Sequence, residues 1–170
     1  MPLRDYTHLL SIAGRREPTP RVIAMRDFLE AVWRAFGDDH PSPERKSISW
    51  IGFYERDPAD HNQMILIDRR PKPACSPIGL HGLCGRGMLD AATHIVDDVR
   101  VLGADYVACD PRDQSELVVP LVDDSGTCFG VLDADSFAIG GFDKNDATCM
   151  HMLLVEYELT KGRHPQVHHR

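Results

Sequence analysis

The sequence has no apolar run long enough to span a membrane and no excess of basic residues. It has no C-x-x-C pair, and aromatic residues make up only 7% of it. Each shortage closes off a class of protein. Without a run of about 20 apolar residues there is no membrane-spanning helix. The N-terminus "MPLRDYTHLLSIAGRREPTP" lacks the apolar centre of a secretory signal, so a cytoplasmic protein is expected. Nineteen basic against 26 acidic side chains leave a net charge of −7, spread along the chain, and nucleic acid binding needs a basic stripe instead. His81 and His94 fit no usual ligand spacing, so neither a metal site nor any other cofactor is expected.

What is present suits one compact α+β domain. A chain of 170 residues with 42% apolar content builds a single core. The expected division is an N-terminal segment over residues 1–18, one domain over 19–161 and a frayed tail over 162–170. Thr19 and Pro20 open a helix in which Met25, Phe28, Leu29, Val32 and Phe36 recur at helical spacing up to Gly37. "SISWIGFYER" and "QMILID" read as strands. The following "RRPKPACSPIGLHGLCGRG", with three prolines and four glycines, reads as an irregular loop. A short helix over 86–92 then leads to a strand at "HIVDDV". "SELVVPLV" and "TCFGVLDADS" form a hairpin around "DDSG", and a final helix opens at the N-cap Asp143. This last helix turns Ala147, Met150, Leu154 and Tyr157 inward.

Strand alternation exposes the chemistry. Asp133 and Asp135 share a face with Phe129 and Val131, while Cys128, Gly130, Leu132 and Ala134 share the other. Two like charges on one strand face repel unless a cation sits between them, and a ligand ammonium, a metal ion or an arginine would supply it. Glu116 begins the facing strand, seven residues after Cys109. Trp50, Gly52 and Tyr54 share one face of the first strand. Five cysteines is an odd number, and in a reducing compartment thiols serve catalysis, metal binding or packing. Cys128 and Cys149 read as core residues.

Four stretches in order, "SWIGFY", "ACSPIGLHGLCG", "VACDPRDQSELVVPL" and "GVLDADS", resemble the GAF-domain enzymes that reduce free methionine-R-sulfoxide. The resemblance covers about residues 46 to 155. It implies an antiparallel sheet of about six strands flanked by helices, with the pocket between the sheet and the loops above it. It also implies Cys109 as the attacking thiol, Cys75 as its resolving partner 34 positions upstream, and Cys84 as an accessory thiol. Attack would leave a sulfenic acid, a disulfide would follow, and a thioredoxin-like partner would reduce it. Asp133 and Asp135 would hold the substrate ammonium, and Glu116 would bond or protonate the sulfoxide oxygen. Trp50 and Tyr54 would wall the S-methyl group. The resemblance further implies a homodimer. The chain departs from the family in "IDRRPKPAC" and "GLHGLCGRG", the latter lacking an arginine between glycines, which leaves open the substrate's identity and the reach of Cys84. Two alternatives stay open: a non-catalytic GAF module that binds a small molecule, disfavoured by the absence of an output domain or coiled-coil extension in the sequence, and a redox sensor.

Overall fold

The computed structural model describes residues 2–106 and 109–170, and for Ala104 and Asp105 the backbone alone. Val107 and Ala108, which open the "VACD" motif, lie outside the described residues. Seven strands form one sheet, β1 (Trp50–Arg56), β2 (Gln63–Arg70), β3 (Ile78–Gly79), β4 (Thr93–Val96), β5 (Ser115–Val122), β6 (Cys128–Ser136) and β7 (Val167–His169). Their order across the sheet is β3-β2-β1-β6-β5-β4-β7. Four α-helices accompany it: α1 (Thr7–Ala13), α2 (Arg21–Phe36), α3 (Leu83–Asp90) and α4 (Lys144–Glu156).

Alternation sorts the strands into two faces. Ile51, Phe53, Leu117, Leu132 and Ala134 enter one apolar core with Phe28 and Leu29 of α2 and Met150 of α4. Residues one step away, Trp50, Tyr54, Val118 and Val131, enter a second cluster with Leu83 and Met88 of α3. Helix α4 starts where expected: Asp143 caps it, accepting from the Asp146 backbone while the Asp146 side chain reaches back. Asp146 also pairs with Arg4 at 2.8 Å and accepts from the Tyr6 hydroxyl at 2.8 Å. That buried pairing ties the N-terminal segment to the domain and explains a helix, α1, that its sequence gave no reason to expect.

Several expectations are corrected. The sheet, expected with about six antiparallel strands, has seven among the described residues and is mixed, because β7 runs parallel to β4. The residues expected to fray therefore close a sheet edge. Thr93 N–H donates to the Gln166 carbonyl, Arg170 N–H to that of Ile95, and the His94 and His168 rings lie 5.0 Å apart. An exposed edge attracts pairing, and the nearest segment with free backbone groups is this one. Second, the helix expected over 86–92 starts earlier, at Leu83, so Cys84 sits in its first turn. Third, the register between β5 and β6 slips at Leu121/Val122, putting Val122 opposite Cys128. This bulge re-aims Cys128, which packs with the Trp50 cluster, on the aspartates' side, and not in the Leu132 core. Cys149 is half-buried, not fully buried, at the rim of that core.

Candidate functional site

Three adjacent strands assemble the acidic floor of a cavity. Asp135 on β6 lies opposite Trp50 on β1 and Glu116 on β5, and Asp133 lies opposite Gly52 and Val118. The two rows are one pleat apart, so all three carboxyls and the indole point to the same side. Gly52 is required here, since a β-carbon at that position would stand 2.3 Å from the Trp50 ring. The ring lies over the glycine and leans toward Tyr54, at 6.1 Å between centroids.

The cavity opens to solvent and encloses about 730 Å³ of space, mouth included. Of the residues expected at the site, Trp50, Tyr54, Cys84, Cys109, Glu116, Asp133 and Asp135 line it. Cys75 does not. It is exposed at the rim, close enough to act on the Cys109 thiol electrostatically, so the two cysteines are neighbours although 34 positions separate them. Cys84 is buried on the floor, its sulfur within 4.8 Å of an Asp133 carboxyl oxygen.

The loop bearing Cys75 is pinned from below. Trp50 Nε1 donates to the Lys72 carbonyl at 2.9 Å, and the Tyr54 hydroxyl donates to the Cys75 carbonyl at 2.7 Å. Lys72 Nζ meets Asp110 at 2.6 Å, and Asp110 also receives Arg112 at 2.7 Å. Asp110 adjoins Cys109, so this ion pair joins the two thiol-bearing segments. Hydrogen bonds from Arg112, then from Lys72, hold the Asp110 carboxyl well below the usual range. Trp50 and Tyr54, expected only as an apolar wall, also fix the loop through their polar tips.

Sequence reading missed Asp113, Tyr106 and Lys72, all of which line the cavity. Asp113 is 6% exposed and accepts from Ser49 Oγ at 3.3 Å. It lies in a turn before β5, where an aspartate looks like turn chemistry, and only its burial marks it out.

Burial dominates the electrostatics. It pushes Asp133 up to about 7, and burial followed by the charges of Asp110 and Asp133 pushes Asp113 up to about 7. Glu116 and Asp135 are raised well above ordinary carboxyls, first by burial and then by Asp133. Five carboxyls thus line one cavity, four of them raised, and the cation that lines it among the described residues, Lys72, is bound to the fifth, Asp110. One oxygen of Asp133, Oδ1, is buried without a hydrogen-bond partner among the described residues. An arriving cation would be stabilised here by Coulomb attraction in a poorly screened setting. Burial, and then the neighbouring Cys75 thiol, push the Cys109 thiol up to about 12, so it rests protonated. Burial and Asp133 raise Cys84 well above an ordinary thiol.

No family model matches the chain. It is 36% identical over 107 residues to the free methionine-R-sulfoxide reductase of Saccharomyces cerevisiae, covering 62% of this chain and 59% of that one. It is 33% identical over 113 residues to the enzyme of the same name from Escherichia coli, covering 65% of each. The chain thus spans under two thirds of these curated relatives' length. Among solved structures, the free methionine-R-sulfoxide reductase of Neisseria meningitidis in complex with its substrate superposes with a TM-score of 0.70 at 30% identity, covering 89% of this chain and 85% of that one. Among the described residues, no helix is long and apolar enough to cross a membrane.

Proposed function

We propose, from the premise that this chain belongs to the GAF-domain free methionine-R-sulfoxide reductase family, that it reduces free L-methionine-R-sulfoxide to methionine in the cytoplasm. The observation that carries this reading is the adjacency of the Cys75 and Cys109 thiols at the rim of a cavity floored by buried carboxyls. A free amino acid brings an ammonium group, which Asp133 and Asp135 receive. Its S-methyl group packs on the Trp50 and Tyr54 rings.

The chemistry then proceeds in two steps. Burial, and then the charge of Asp133, shift Glu116 toward its protonated form, in which it donates a hydrogen bond to the sulfoxide oxygen and draws electrons from sulfur. Cys109 rests as a thiol and gives up its proton as it attacks, and that proton ends on the oxygen it receives. The oxygen passes to Cys109, giving Cys109–SOH and methionine, with the thiol proton retained overall. The Cys75 thiol then displaces hydroxide from Cys109, a disulfide forms and water leaves. A thioredoxin-like dithiol reduces that disulfide by exchange and is itself oxidised. Cys84, beside Asp133, is accessory to this exchange. The working unit is a homodimer, which light scattering on the eluting protein would check.

NADPH consumption coupled through thioredoxin tests the reading on three substrates: free methionine-R-sulfoxide, its S epimer and a peptide-bound sulfoxide. Turnover of the free R epimer alone is expected. Turnover of the peptide-bound sulfoxide at a similar rate would remove the ammonium assignment. Failure on all three would leave the cavity to a non-catalytic ligand.

A further inference from the structure

Cys84, Glu116 and Asp133 each offer a ligand atom, and these atoms lie within 4.8 Å of one another. They come from α3, β5 and β6, three elements that pack together beside the cavity. We infer that this trio is a zinc site, and that its occupancy excludes the cationic end of the substrate. The expectation of no metal site weighed histidine spacing and the lack of a C-x-x-C pair, both local patterns, whereas this trio is distributed over 50 residues of sequence.

The donor set selects the metal. One thiolate with two carboxylates is a borderline-soft set, suited to a tetrahedral ion with three protein ligands and an open fourth position. Zinc–sulfur and zinc–oxygen bonds of about 2.3 and 2.0–2.2 Å put donors about 3.3–3.6 Å apart, so a pair at the 4.8 Å limit would close by at most about 1.2–1.5 Å. Calcium and magnesium prefer six or more oxygens, and the trio offers only two carboxylates. A second observation points to a cation independently of the cluster: Asp133 is 7% exposed and lines the cavity, yet its Oδ1 has no hydrogen-bond partner among the described residues. The fourth position would face the cavity, where water or a competing ligand completes the shell.

The exclusion of substrate rests on the proposed function, because Asp133 cannot serve the ammonium and the metal at once. Metal binding itself does not. The test is therefore a titration of the reduced protein with zinc chloride against a chromophoric chelator, repeated with cobalt(II). A variant carrying Cys75→Ser and Cys109→Ser removes the rim thiols as rival ligands. It is expected to bind one zinc ion per chain and to show the charge-transfer band of a single cobalt thiolate. Cys84→Ser should lose that band and bind zinc at least ten-fold more weakly, and Glu116→Gln should weaken zinc at least ten-fold with the band retained. Free methionine-R-sulfoxide should raise the apparent zinc Kd of the double variant, which cannot turn over. Zinc binding lost with the rim thiols but kept in Cys84→Ser would overturn the site, as would no binding in either. Zinc binding indifferent to the sulfoxide would overturn the exclusion.

Discussion

The two faces of the β5–β6 hairpin differ in what each backbone step carries. Leu132 and Ala134 are fully buried among apolar side chains, while Asp133 and Asp135, one residue along, keep only 7% and 9% exposure around a cavity. The first face gains stability from every group it takes from water. The second takes ionisable groups from water without pairing them, and the strain falls on their protonation. A pleated strand permits both because neighbouring side chains never share an environment. The lesson is that the apolar face supplies the stability that lets the other face hold unpaired acids.

Cys109→Ser should have the largest effect on the functional face. Turnover is expected to fall by about 1,000-fold or more while substrate binding persists, as coupled kinetics and calorimetry would show. Next, Leu132→Ala on the apolar face should cost about 2–5 kcal/mol in urea unfolding, since a fully buried side chain leaves a cavity. The same measurement on Asp133→Asn should run the other way. A carboxyl raised from 3.8 to about 7 favours the fold while protonated, and that contribution is lost as pH climbs through 4 to 7. At pH 8 the variant should be more stable than wild type by on the order of 1–3 kcal/mol, a gain that fades toward pH 5. If Asp133→Asn were instead as damaging as Leu132→Ala at pH 8, the contrast between the faces would collapse.

That variant should also bind free methionine sulfoxide about 10- to 100-fold more weakly, with little change in Cys109 alkylation. Tyr54→Phe sharpens the comparison at the rim. It removes the hydroxyl that holds the Cys75 carbonyl, so disulfide formation after a single turnover should slow several-fold, with about 1 kcal/mol lost in stability. The smallest effect is expected at the sheet edge, where His169→Ala removes a 2.9 Å contact with Asp97, worth under about 1 kcal/mol by thermal melting.

How much was legible depended on whether a feature was local. The face shared by Asp133 and Asp135 followed from alternation, and the α4 start followed from Asp143, because pleat and cap act over a few residues. Cys128 was misplaced because a bulge needs knowledge of the partner strand's register. Asp113 looked like a turn residue, and its burial comes from segments far off in sequence. The pairing of "QVHHR" with β4 was hidden because any polar tail can form backbone hydrogen bonds, and only an open sheet edge decides that it does.

By itself the sequence determined the face shared by Asp133 and Asp135, where α2 and α4 begin, and the motif order that places Cys109 and its acids in a family, since each depends on short-range periodicity or residue identity. Only the tertiary structure decided that Cys75 lies against Cys109, that Asp113 joins the acidic floor and that Cys84 meets Glu116 and Asp133. Those are distances between segments remote in the chain, fixed by sheet order and by the Lys72–Asp110 pair that draws the loop in, and no local pattern encodes them.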